Sequence, residues 1–252
     1  MNPISAKEAF SLAKKIDAGI PKKKNIEVVI APPFPYLECI KYQVSSIKLG
    51  AQDVFWEDKG AYTGEVSPTM LKNLGAEYVI VGHSERRRLL NETDEMVNKK
   101  VQASMKAGLK VILCVGEPKR ATRDMRQGIK EAKSFVKRQL QRDLKGISKS
   151  HVANPMSLIV AYEPIWAISA GGAGKPDKPE DAAEMIRFIK QFLTTHYSLL
   201  ATPVLYGGSV NSSNVRNFLQ YEEVDGALVG SASLKHQEFK KIIAAVSSVA
   251  YY

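Results

Sequence analysis

The stretch KVILCV (110–115), the charged run RDMRQGIKEAKSFVKRQLQRDLKG (123–146) and then LIVAYE (158–163) read as one strand–helix–strand unit. The two flanking runs are short, rich in β-branched residues and almost continuously apolar, as strands covered on both faces are. The segment between them interleaves Lys, Arg, Glu and Asp with apolar positions at helical spacing, which is the pattern of a helix with one solvated face. Repeats of this unit build a parallel sheet.

The same alternation continues outward in both directions. Upstream lie IEVVIA (26–31), IKLGAQ (47–52) and YVIVG (78–82); downstream lie PVLYG (203–207) and DGALVG (225–230), which makes seven strand candidates. Helix candidates number eight, the first over 4–18 and the last after Leu234. The chain opens directly on a helix capped by Pro3 or Ser5, whereas every later helix follows a strand. A closed eight-stranded barrel needs one more strand, and an open seven-stranded sheet exposes two unpaired edges. No linker, low-complexity segment or repeat divides the chain. Residues 1–252 therefore read as a single α/β domain, either a barrel lacking one strand, its first, or an open seven-stranded sheet.

Composition limits the function. A chain of 252 residues, 44% hydrophobic and 25% charged, suits one α/β barrel or two small domains. Thirty-six basic against 26 acidic residues leave a net charge of +10, but the basic residues are spread over helices and no nucleic-acid-binding motif is present. Nucleic acid is not an expected partner. Cys39 and Cys114 sit inside the apolar runs YLECI and VILCV, without the spacing of a disulfide framework or metal knuckle. The start, MNPISAKEAF, lacks an apolar signal core, and no apolar stretch approaches the roughly 18 residues of a membrane span. A soluble, cytoplasmic protein without membrane partners is expected.

In a barrel of this kind the loops after the C-terminal strand ends build the site. Four such ends carry polar groups: His83 to Arg88 after YVIVG, Glu163 after LIVAY, Ser209 to Asn211 after PVLYGG, and Ser231 to Ser233 after DGALVG. A bare glutamate after LIVAY is costly to bury, so Glu163 is either paired in a structural role or works as a proton acceptor whose pKa desolvation can raise toward neutrality. The apolar PIWAI that follows, bounded by Pro164 and by Gly171, Gly172 and Gly174, suits a lid with hinges at both ends. His83 lies at a strand–helix junction, where the helix's positive end favours a neutral imidazole able to donate a hydrogen bond. The glycine-rich turns YGGSVN and LVGSASL present backbone N–H groups where barrels bind phosphate, or are simply tight turns. GGAGKP is not a P-loop, since Ser169 stands where the first glycine belongs and Pro176 follows Lys175; there is no GxSxG elbow either.

In order along the chain, GAQDVFWEDKGAYTGEVSPTMLKNLGAEYVIVGHSERR (50–87), CVGE (114–117), AYEPIWAI (161–168), YGGSV (206–210) and LVGSASL (228–234) resemble the triosephosphate isomerase family. The resemblance implies a TIM barrel and a homodimeric enzyme of glycolysis and gluconeogenesis that interconverts dihydroxyacetone phosphate and glyceraldehyde 3-phosphate through an enediolate. Glu163 would be the proton acceptor, His83 the electrophile and Glu85 a supporting carboxylate. Backbone amides of Ser169, Ser209, Gly230 and Ser231 would hold the phosphate, and Thr63 would reach the partner subunit. Neither a metal nor an organic cofactor is implied. A glutamate base, a neutral histidine and a closing loop are the roles that the family resemblance implies for this chain.

The chain also departs from the family. Met1-Asn2 match the end of a first-strand motif whose Asn and Lys would precede residue 1, and losing a preorganised positive charge costs on the order of 3 kcal/mol. The expectation is a protein that begins upstream; a shortened, noncatalytic homologue and another phosphosugar-acting barrel enzyme are the alternatives. The lid reads Ser169-Ala170-Gly171 in place of Gly-Thr-Gly, and Gly172-Ala173-Gly174 predicts an entropic penalty on closure.

Overall fold

The computed structural model describes residues 1–21, 26–120, 125–148, 157–168 and 177–247. Among them seven strands pair in parallel and in sequence order: β1 Val29–Ile30, β2 Lys48–Ala51, β3 Tyr78–Val81, β4 Lys110–Val115, β5 Leu158–Tyr162, β6 Val204–Tyr206 and β7 Gly226–Ala227. The central ladder is the longest, with Val111 to Val115 of β4 opposite Leu158 to Tyr162 of β5. Each of the seven apolar runs thus becomes a strand. The first and last are shorter than the six residues expected, because each has a partner on one side only: β1 pairs through Val29 and Ile30, and β7 through Gly226 and Ala227.

Alternation within the strands builds two cores. Val111, Leu113 and Val115 of β4, with Leu158, Val160 and Tyr162 of β5, pack outward under the helices. Ile112 and Cys114, with Ile159, Ala161 and Tyr78, point to the other face and cluster in the sheet's interior. Such two-faced burial makes the runs continuously apolar, and burying each large aliphatic side chain contributes roughly 1.5–3 kcal/mol. The parallel sheet curls as an α/β barrel does. Its edge strands β1 and β7 both line an apolar cavity of about 670 Å³, which reaches the interior residues Ile112 and Ile159 and is also lined by Phe239, Ile242 and Ile243. No eighth strand lies between those edges among the described residues.

Helix starts follow local capping chemistry. In α1 (Ala6–Asp17) Ser5, not Pro3, is the cap: its hydroxyl accepts the Glu8 N–H at 3.2 Å, and the helix buries Ala9, Leu12, Ala13 and Ile16. After α2 (Leu37–Lys41) and α3 (Pro68–Asn73), the segment behind β3 carries two helices where one was expected, α4 (Ser84–Leu89) and α5 (Asp94–Lys106). Asn91 breaks the run with φ +54°, and Thr93 restarts it by accepting the Met96 N–H. Then follow α6 (Met125–Asp143), α7 (Pro179–Tyr197), α8 (Val215–Leu219) and α9 (His236–Ser247), nine in all among the described residues.

Candidate active site

The polar residues at the C-terminal strand ends converge. β5 delivers Glu163, whose backbone N–H donates to Val115 O at 2.8 Å, and β3 leads through Gly82 to His83. Gly82 takes φ +72°, a turn that a side chain would strain, and so aims the next residue across the strand tops. His83 Nε2 lies 3.1 Å from Glu163 Oε1, and the other carboxylate oxygen accepts the Ser84 N–H at 3.0 Å. Glu163 is 2% exposed. Its burial is tolerated because both oxygens are engaged, one by an imidazole and one by the N-terminal turn of α4.

Two glycines make room for Glu163, Gly116 for its backbone and Gly207 for its side chain. A Cβ at Gly116 would stand 1.7 Å from the Glu163 carbonyl oxygen, and one at Gly207 would stand 2.8 Å from Glu163 Cγ. Sequence reasoning missed Ser84, Gly116 and this role of Gly207. Glycines directly after the apolar runs of β4 and β6 were the available signal.

His83 caps α4, its Nδ1 accepting the Glu85 N–H at 3.3 Å. That bond leaves the proton on Nε2, facing Glu163, so the geometry fits a neutral Nε2–H tautomer. The electrostatic balance differs from the expectation of a purely helix-favoured neutral ring. Burial pulls the His83 pKa down, but the Glu163 hydrogen bond and charge, with Glu85, outweigh it and hold the pKa above the usual 6.5. Glu85 itself is half exposed, its Oε2 3.8 Å from His83 Nδ1. Beside Glu163, burial keeps the Cys114 thiol protonated, its pKa pushed well up. Cys114 and Cys39 are both free thiols.

Of the phosphate-binding expectations, the Ser209 N–H donates to Ala167 O at 3.3 Å, tying the turn after β6 to the segment after Glu163. Gly230 and Ser231 are exposed at the start of a 3₁₀ turn, Ser231–Leu234. Of the expected lid, Pro164 to Ile168 are described and carry a 3₁₀ turn over Ile165–Ala167, whereas Ser169 and the hinge glycines Gly171, Gly172 and Gly174 lie outside the described residues. Thr63 is exposed on a loop after β2, where the Glu65 N–H closes a turn on Tyr62 O and the Tyr62 ring packs 4.7 Å from Phe55.

A parallel α/β barrel sheet that brings a carboxylate–imidazole pair to its C-terminal rim has the form of a barrel enzyme's site. The family model described as triosephosphate isomerase matches residues 1–246. A triosephosphate isomerase of Thermoanaerobacter sp. (strain X514) is 44% identical over 239 residues, 91% of each chain. Those of Geotalea uraniireducens (strain Rf4) and Alkaliphilus oremlandii (strain OhILAs) are 39% and 42% identical, covering 94% and 96% of this chain and 92% and 95% of theirs. The chain belongs to the triosephosphate isomerase family.

Proposed function

We propose that this isomerase interconverts dihydroxyacetone phosphate and glyceraldehyde 3-phosphate with Glu163 as the proton carrier and His83 as the electrophile. Glu163 removes a proton from the carbon bearing the hydroxyl, and the electron pair passes into the carbonyl, giving an enediolate. The His83 Nε2–H stabilises the oxygen that gains charge, and the ring relays a proton between the two oxygens. Glu163 then returns its proton to the neighbouring carbon. The observation that carries this reading is the 3.1 Å approach of a buried, doubly hydrogen-bonded carboxylate to a histidine at the strand-end rim. Glu163 is engaged with His83 at 3.1 Å, so on binding the substrate oxygen takes the imidazole N–H while the carboxylate turns to the carbon.

Amides of Ser209, Gly230 and Ser231, with Ser169, are the proposed phosphate contacts, supported by the position of the two turns after β6 and β7. Ser209 then exchanges its bond to Ala167 for one to the ligand. Glu85 supports the orientation of His83 through its backbone N–H, which donates to Nδ1 at 3.3 Å, while its carboxylate lies 3.8 Å from the same nitrogen. A homodimer is proposed from the exposed loop carrying Thr63, and a cytoplasmic setting from the two free thiols. No described helix is long and apolar enough to cross a membrane.

The test is isotope exchange. In D2O the chain should place solvent deuterium on the hydroxyl-bearing carbon of dihydroxyacetone phosphate, followed by NMR, and Glu163→Gln should abolish it. Exchange that survives unchanged in Glu163→Gln assigns the base elsewhere.

A further inference from the structure

Beneath the segment that carries Glu163 lies a buried cluster with no part in the chemistry above. Arg120, on the loop after β4, is 9% exposed and touches four separate parts of the chain. Its Nη1 donates to both oxygens of Asp177, at 3.0 and 3.2 Å, and lies 3.7 Å from Asp181 in the first turn of α7. Nη2 donates to Glu117 Oε1 at 3.0 Å and lies 2.6 Å from the Tyr162 hydroxyl, and the guanidinium carbon stands 4.8 Å from the centroid of the Trp166 ring.

Glu117 in turn grips both flanks of Glu163. The Tyr162 hydroxyl lies 3.0 and 3.1 Å from its two carboxylate oxygens, the Trp166 indole N–H donates to Oε1 at 2.9 Å, and the Ile165 N–H donates to its backbone carbonyl at 3.1 Å. Residues 162, 165 and 166 are thereby fixed to one carboxylate-bearing residue, with Glu163 between them. Glu117 and Asp177 are both buried, at 1% and 3% exposure; burial raises the Asp177 pKa to about 7, and the Arg120 charge between the two carboxylates opposes that rise. A planar guanidinium meets both carboxylates along different edges while its face covers an indole, which an ammonium cannot do.

We propose that Arg120 is a positioning residue for the isomerase reaction: through Glu117 it fixes the backbone from Tyr162 to Trp166 and so sets where the Glu163 carboxylate points, without touching substrate. The proposal rests on Glu163 being the base, and its test separates the two claims. Arg120→Met, Arg120→Lys and Trp166→Phe are compared with the unmodified chain in kcat, KM, the pH profile of kcat/KM, thermal midpoint and the NMR titration of His83. The His83 titration reports the Glu163 contact in the ligand-free chain and needs no turnover.

A displacement of about 1 Å at a reacting group costs about 100-fold. Arg120→Met is therefore expected to lower kcat about 100-fold with KM little changed, to move the acidic limb of the profile and to bring the His83 titration down. Arg120→Lys should fall between, and Trp166→Phe, which removes one of the grips, should lose less. If Arg120→Met folds and keeps its kcat, its acidic limb and its His83 titration, the proposal is wrong. It is equally wrong if the loss disappears at temperatures well below the variant's melting point. If Arg120→Met does not fold, the same readings on Arg120→Lys and Trp166→Phe decide, both at wild-type values refuting it. Should the unmodified chain show no turnover, the isomerase reading falls, and the His83 titration alone decides whether Arg120 holds Glu163 in place.

Discussion

Replacing Gly207 with alanine tests whether the reaction depends on where Glu163 sits. Gly207 follows β6, is buried and does not use a left-handed backbone, so alanine adds a methyl group without backbone strain. That methyl would stand 2.8 Å from Glu163 Cγ and 3.2 Å from the Tyr162 carbonyl oxygen. Ordinary contact begins near 3.4 Å, so the carboxylate must give by at least roughly 0.6 Å, and the Tyr162 carbonyl blocks relief by moving the methyl the other way. A displacement approaching 1 Å costs about 100-fold in kcat, equivalent to about 2.7 kcal/mol of transition-state stabilisation. The proposed phosphate contacts belong to other residues, so KM should change little. The assay is steady-state isomerisation, with a thermal melt to confirm folding. A folded Gly207→Ala chain with kcat within about threefold of the original would refute the account, because a misplaced base cannot leave the rate intact. Gly116→Ala should go further: its methyl would overlap the Glu163 carbonyl oxygen at 1.7 Å, and the expected outcome is failure to fold.

Other outcomes follow from the same geometry. Glu163→Gln removes the charge that holds the His83 pKa above its usual value, leaving burial dominant, so the ring should titrate below 6.5 by NMR; an unchanged titration would mean the two groups are not in contact. Lys100 is 2% exposed between Asp53, at 2.7 and 2.9 Å, and Glu92. Lys100→Met leaves those buried carboxylates with Arg86 alone, a loss of about 3–5 kcal/mol. It should lower the melting point on the order of 10 °C, and a shift of under about 2 °C would count against the ion cluster. Thr63→Arg, on the exposed loop, should convert the proposed dimer to a monomer of about 27.8 kDa by sedimentation; a monomeric unmodified chain would overturn the dimer proposal itself.

The strands were legible because parallel strands buried on both faces leave uninterrupted apolar runs, as VILCV and LIVAY do. Their lengths were not, since pairing depends on having neighbours: IEVVIA supplies only Val29 and Ile30 to the ladder. The break between α4 and α5 rests on one residue, Asn91, adopting a left-handed conformation, and propensity marks that weakly. His83 and Glu163 could be read from their place at strand ends. That the Ser84 amide steadies Glu163, and that Gly116 and Gly207 leave it space, depends on segments 79, 47 and 44 positions apart in the chain meeting at one point, for which periodicity carries no signal. The Arg120 cluster was equally hidden: Glu117 and Arg120 look like an ordinary helical pair at spacing three until Tyr162, Trp166 and Asp177 close around them.

The central claim is that Glu163 carries the proton between neighbouring carbons of a triose phosphate. Its most direct measurement is kcat for the interconversion of dihydroxyacetone phosphate and glyceraldehyde 3-phosphate, on the chain and on Glu163→Gln prepared alike. Turnover by the chain and a loss of about 10²–10⁴-fold in the variant is the predicted result, the range that a positioned general base supplies. Equal rates in the two proteins, or no turnover in either, would contradict it.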